Sequence, residues 1–185
     1  MFEEPVLLER LYFHELGRKE ELEKATTLPA AIIVANFGVL GYFFTHFKFG
    51  GAQYWSFGVI QIIFAISLVV STGLLCIAVF WCFRAVTGST YEFLPGAETL
   101  RTYRRDLEDW YKQSRTSRPV QAAKLEFEEY LASAIARCCQ KNWLTNLVRS
   151  EELFRTKRYT VLSLWAQAIA ALCYYIDFWF DPTTT

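Results

Sequence analysis

Three apolar runs, at residues 28–47, 55–83 and 161–179, constrain this chain more than any other feature, because each can cross about 30 Å of hydrocarbon as a helix. Apart from Asp177 near the end of the third, the runs are free of charge, and nearly all charges fall in blocks at 3–24 and 84–158. A soluble fold of 185 residues has no place for so much nearly charge-free helix. The expected class is therefore all-α, with three transmembrane helices, an N-terminal amphipathic helix and a cytoplasmic helical hairpin or bundle. An alternative topology divides the second run at Ser71, Thr72 and Gly73, but each half is then too short to span by itself.

The 19 basic and 19 acidic residues cancel, yet they are strongly segregated along the chain. The start, MFEEPVLLERLYFHELGRKEE, is acidic and amphipathic, so no cleaved signal peptide is expected and the first span acts as the insertion signal. Arg10, Arg18, Lys19 and Lys24 precede that span, and only Lys48 lies in the connection to the second. Many basic residues fall between 84 and 158, and none follows the third span. The positive-inside rule then puts the N-terminus and the middle segment in the cytoplasm and the C-terminus outside. The expected organisation is an amphipathic helix at 1–26, two transmembrane helices in 27–84, a cytoplasmic helical module at 85–158, a third transmembrane helix at 159–180 and an external tail at 181–185.

Pro5 suits a first helical turn, and Leu7, Leu8, Leu11, Tyr12 and Leu22 give the first helix an apolar side. Its acidic residues favour packing on the cytoplasmic module over lying on anionic lipid. Thr26 or Thr27 is placed to cap the first span, with Pro29 in its opening turn, the alternative being an amphipathic helix that runs into the span with only a kink. Ala31, Ala35, Gly38 and Gly41 then recur at helical spacing, a helix-packing face that serves either intramolecular packing or contact with another copy. A tight connection at 49–54 lies between aromatic belts. After Gly88 and Pro95, helix is expected to resume near Glu98, with Leu100, Tyr103, Leu107 and Trp110 on one face. The pattern breaks at 114–119 and restarts near Val120, where Phe127, Tyr130, Leu131, Ala134, Ile135 and Cys138 form a stripe that Trp143, Leu144, Leu147, Leu153 and Phe154 prolong. The two cytoplasmic helices are expected to pair as an antiparallel hairpin, joined by the N-terminal helix.

Catalytic machinery is not visible. His14 and His46 are the only histidines, and neither belongs to a recognisable constellation. HEL lacks the second histidine of a zinc-protease helix, and phosphate loops and dinucleotide fingerprints are absent. Arg10 and His14 fit a helical-nuclease spacing poorly. The five cysteines show no CxxC spacing; small buried hydrophobes are expected, with vicinal Cys138 and Cys139 as a redox pair the lesser alternative. No enzyme, metal or cofactor is expected.

The informative polar residues sit inside the spans: Asn36 in the first, Gln61, Ser67, Ser71 and Thr72 in the second, Ser163 and Gln167 in the third. An amide in hydrocarbon is costly without a partner, so these residues either join helices or line a water-filled path in an oligomer. Three helices enclose no useful pore, which makes any pore a property of several copies. In the basic run TLRTYRRDLEDWYKQSRTSR, Arg101, Arg104 and Arg105 stand beside Tyr103 and Trp110. Such a mixture suits nucleotide or partner recognition, while arginines near an inner leaflet also arise from topology and anionic lipid.

The segments YFHELGRKEELEKATTLP, TYEFLPGAETLRTYRRDLEDWY and EFEEYLASAIARCCQKNW resemble a family of small uncharacterised bacterial multi-pass membrane proteins. Their architecture is similar to that of the transmembrane effectors of antiphage defence systems, which a nucleotide signal or a partner triggers to permeabilise the membrane. The resemblance implies the bacterial inner membrane, a homo-oligomer in the bilayer, and a pore or membrane disruption on a cytoplasmic signal. It carries over no catalytic residue, and the third span departs from the simplest two-span effectors. The alternative is a non-conducting membrane anchor or sensor that docks a cytosolic partner. No direct reading of nucleic acid is expected.

Overall fold

The computed structural model describes residues 4–46, 55–114 and 117–180, and among them the only regular elements are four helices. These are α1 (Glu4–His46), α2 (Trp55–Thr87), α3 (Ala97–Gln113) and α4 (Pro119–Phe180). Three of them, α1, α2 and α4, are long and apolar enough to cross a membrane. The expected connection at 49–54 and the tail at 181–185 lie outside the described residues.

Helix runs unbroken across two places where the chain passes between a charged block and an apolar run. α1 continues through Pro29, which removes one helical N–H and leaves the Ala25 carbonyl without its usual donor. Thr26 and Thr27 do not cap a new helix; their hydroxyls donate back to the Leu22 and Lys24 carbonyls at 2.7 Å. α4 likewise runs without interruption through residue 158, as a 62-residue helix about 93 Å long at 1.5 Å per residue. The divided alternative for the second run also falls away, since α2 is continuous through residues 71–73. The predicted restart near 98 and break at 114–119 match the start of α3 at Ala97, its end at Gln113 and the start of α4 at Pro119. The turn out of α2 closes tightly, because a Cβ on Gly88 would sit 2.9 Å from the Arg84 carbonyl oxygen.

Contacts divide the chain into two compact units. One comprises Leu22–Ser89 and Val148–Thr185, that is, α2 with parts of α1 and α4. Its buried residues recur in steps of three and four: Thr26, Pro29, Ile33, Asn36, Leu40 and Phe43 on α1; Phe64, Leu68, Ser71, Leu75 and Ala78 on α2; Thr156, Thr160, Ser163, Gln167 and Ala170 on α4. That spacing keeps a narrow seam facing its neighbours, as in left-handed helix packing. Outside the seam the surface is apolar, with Val34, Val69 and Trp165 each more than two-thirds exposed (71%, 72% and 68%). Exposed branched aliphatics on this scale suit lipid as the surrounding solvent.

The other unit comprises Met1–Glu21 and Thr90–Leu147. Here α3 and the start of α4 form the expected antiparallel hairpin: Tyr103 lies against Phe127 and Tyr130, and further along α3 Tyr111 bonds to Glu126. The N-terminal part of α1 joins them, with Tyr12 packed beside Ile135 and Cys138, and Leu8, Leu16, Leu94 and Leu131 around these. The apolar stripe at 127–138 is where the periodicity places it. Its expected prolongation holds only at Leu153, which is buried: Trp143, Leu144, Leu147 and Phe154 are exposed, whereas Asn142, Asn146 and Arg149 are buried.

Candidate functional site

The seam among α1, α2 and α4 carries most of the polar residues that the sequence singles out within its apolar runs. Ser71 and Ser163 are both fully buried and face each other. Their hydroxyl oxygens are 2.9 Å apart, and each also contacts the other's backbone carbonyl, Ser71 Oγ to Ser163 O at 3.2 Å and Ser163 Oγ to Ser71 O at 3.1 Å. One turn further along α4, Gln167 donates its Nε2 to the Asn36 backbone carbonyl at 3.2 Å. Asn36 is 3% exposed, and its Nδ2 has no hydrogen-bond partner among the described residues. Thr72, Thr156 and Thr160 return their hydroxyls to carbonyls of their own helices. Gln61 is half-buried on α2. Asn36, Ser163 and Gln167 therefore meet other helices of the same chain.

The small-residue row is placed differently. Ala31, Ala35, Gly38 and Gly41 are all exposed, on the side of α1 opposite its buried stripe, and a Cβ added at Gly38 or Gly41 meets nothing within 4 Å. Among the described residues no other part of the chain comes that near Gly38 or Gly41.

At the end of α2, Glu152 is 7% exposed at its side chain and receives Arg84 Nε at 3.0 Å. Arg149 Nε donates to the Ala85 carbonyl, one of those that a helix end leaves without an internal donor. The guanidinium groups of Arg84 and Arg155 both lie over Trp81, 5.3 and 4.4 Å from its ring centre.

Sequence reasoning missed the polar network of the Thr90–Leu147 unit. Asn146 donates to both the backbone carbonyl and the carboxylate of Glu15, at 2.8 and 2.9 Å, and accepts from the Tyr91 hydroxyl at 2.6 Å. One turn earlier, Asn142 pairs with the Glu92 backbone in both directions, accepting at 2.9 Å and donating at 3.0 Å. These bonds satisfy backbone groups of the non-helical stretch after Gly88, which has no ladder or helix to supply partners. Arg137 pairs with Glu92 at 3.2 Å, and Lys19 lies over Tyr91 and Phe93. The available signal was the four-residue spacing of Asn142, Asn146 and, nearly, Arg149. The heavier residues Trp143, Leu144 and Leu147 on the opposite face masked it.

Of the residues predicted to receive a ligand, Arg101, Arg104, Arg105 and Trp110 all project from α3 as exposed side chains. Arg104 pairs with Glu108 at 3.3 Å. None of the four lines the cleft between α3 and α4, which has a volume of about 680 Å³ and is lined by Tyr103, Tyr111, Leu125, Glu126, Glu129 and Tyr130, among others. Tyr111 donates to Glu126 at 2.6 Å, and that bond to a carboxylate pushes its hydroxyl above the usual tyrosine range.

His14 lies 3.5 Å from Glu15, and His46 stacks on Tyr42 at 4.3 Å. Among the described residues no group of three or more His, Cys, Asp or Glu side chains is placed to hold a metal ion. No protein family, curated protein or solved structure matches the chain.

Proposed function

We propose that this chain is a bacterial inner-membrane effector whose copies associate and breach the membrane when its helical module receives a cytoplasmic signal. The observation that carries the reading is the seam of Ser71, Ser163, Gln167 and Asn36, a set of polar groups stored inside a three-helix unit whose exterior is apolar. In lipid such groups stay together because the alternative is an unsatisfied dipole. A water-filled path among several copies is the other environment that satisfies them. In the single chain the seam is closed, and opening exchanges intrachain bonds for water. The bare row Ala31, Ala35, Gly38 and Gly41 supports close approach of a second copy.

The segregation of basic residues supports a cytoplasmic N-terminus and 85–158 module, with the C-terminus outside. A role in antiphage defence rests on the architectural resemblance, and no catalytic step, cofactor or reading of nucleic acid enters it. The signal is a nucleotide or a protein partner.

The test is dye leakage from liposomes and growth arrest on expression. Removing the seam with Ser71→Ala, Ser163→Ala and Gln167→Leu together is expected to abolish both while assembly persists. Leakage equal to that of the original chain would sink the reading.

The second reading, a non-conducting anchor that docks a cytosolic protein, is favoured by the completeness of the Ser71–Ser163 pairing, which leaves those groups needing nothing from outside the chain. On that reading the chain never leaks under any signal and a cytosolic protein remains bound to it through purification.

A further inference from the structure

We infer that the cleft between α3 and α4 takes the arginine face of α3 from a second copy of this chain, in a head-to-tail contact. The cleft combines three tyrosines, Tyr103, Tyr111 and Tyr130, with two carboxylates, Glu126 and Glu129, and no basic side chain lines it among the described residues. Aromatic faces beside carboxylates favour a planar cation, and guanidinium satisfies both by stacking on a ring while donating in its own plane. Tyr111 holds the Glu126 carboxylate at the cleft wall through its 2.6 Å bond. The cleft's volume, about 680 Å³, suits side chains carried on a protein segment better than a small free cation.

The chain itself exposes the matching surface. Arg101 and Arg105 are exposed and lie one turn apart on α3, and Glu126 and Glu129 lie one turn apart on α4. Tyr103, midway between the two arginines, has its ring 4.7 Å from Tyr130 and 6.4 Å from Phe127. The arginines are therefore level with the turn of α4 that carries Glu129, while the Glu126 carboxylate is held further along the hairpin by Tyr111. Copies held side by side in one orientation by a membrane bring Arg101 and Arg105 of one to the height of the next one's cleft. A contact between two different patches is heterologous, so it propagates into a ring or a row rather than stopping at a dimer. This contact rests on the self-association in the reading above and specifies what brings the copies together.

The experiment measures the particle mass of the full chain in nanodiscs for the original sequence, for Glu126→Arg with Glu129→Arg, and for Arg101→Glu with Arg105→Glu. The original chain is expected to form particles of more than two copies, and each charge-reversed chain to be monomeric. An equal mixture of the two reversed chains, differently tagged, regains the larger particle and co-purifies on either tag, since every contact in an alternating assembly is again complementary. The milder glutamine versions of both pairs weaken assembly at least tenfold and guard against a misfolded variant. A monomeric original chain overturns the inference, as do glutamine versions that assemble normally, or a mixture that stays monomeric while both components keep their full helix content. Leakage measured in parallel separates the two ideas. Assembly without leakage leaves this contact standing and retires the effector reading. Leakage from reversed chains that stay monomeric does the opposite.

Discussion

In the unit of α2 with Leu22–Ser89 and Val148–Thr185, buried polar groups pair across regular helices, hydroxyl to hydroxyl at Ser71 and Ser163. In the unit of Met1–Glu21 and Thr90–Leu147 two amides tie down an irregular segment, Asn142 holding Glu92 and Asn146 holding Tyr91 while also bonding to Glu15 of α1. The first arrangement adds polar bonds to helices whose own backbones are already satisfied. The second replaces secondary structure where none exists. Losing a bond should therefore be cheap in the first and expensive in the second, because a stranded buried group costs more than a bond contributes.

The hardest break of that contrast is Asn146→Leu, which strips the Tyr91 hydroxyl of its acceptor and the buried Glu15 carboxylate of a donor. Destabilisation of about 2–4 kcal/mol is expected, read as a shift in the SDS titration of helix content. Arg84→Ala should follow. It takes the cation from Glu152, but Arg84 is half exposed, so the loss is about 1–2 kcal/mol by the same titration.

Ser71→Ala alone should cost about 1 kcal/mol by leaving Ser163 half-satisfied, and adding Ser163→Ala should cost almost nothing more, a coupling of roughly 0.5–1 kcal/mol in a double-mutant cycle. A full second loss would show that the hydroxyls act independently and would dissolve the distinction between the units. Gly41→Ala should stabilise the chain by up to about 1 kcal/mol, since the added methyl meets nothing and alanine is the better helix former. Tyr111 supplies the smallest effect. Its raised hydroxyl is neutral in the folded chain, so any stability it contributes is present below the unfolded value of about 10 and fades as pH climbs through the folded one. Its phenolate absorbance should emerge above the usual tyrosine range, and Glu126→Gln should bring it down.

Much of the fold was legible. Long charge-free runs separate the apolar helices from the rest, and Gly88, Pro95 and Pro119 punctuate the chain near the observed ends of α2, α3 and α4. Proline at 29 was a weaker guide, because one missing N–H does not end a helix whose flanking threonines bond to their own carbonyls. Of the candidate site, Ser71, Ser163, Gln167 and Asn36 could be picked out simply as polar residues in apolar surroundings. The partnership of Ser71 with Ser163, 92 residues apart, could not. Nor could the buried status of Asn142, Asn146 and Arg149, since the period of that helix is the same whichever face turns inward.

Sequence by itself determined that the chain is helical, that three stretches are long and apolar enough to cross a membrane, and where polar residues interrupt them. These follow from local quantities: length, hydropathy and the cost of an unbonded backbone in hydrocarbon. The tertiary structure alone decided which face of the three apolar runs is inside. In lipid the exterior of a helix is as apolar as its interior, so hydrophobicity does not mark the buried side. That choice belongs to close packing and to hydrogen bonds between residues far apart in the chain.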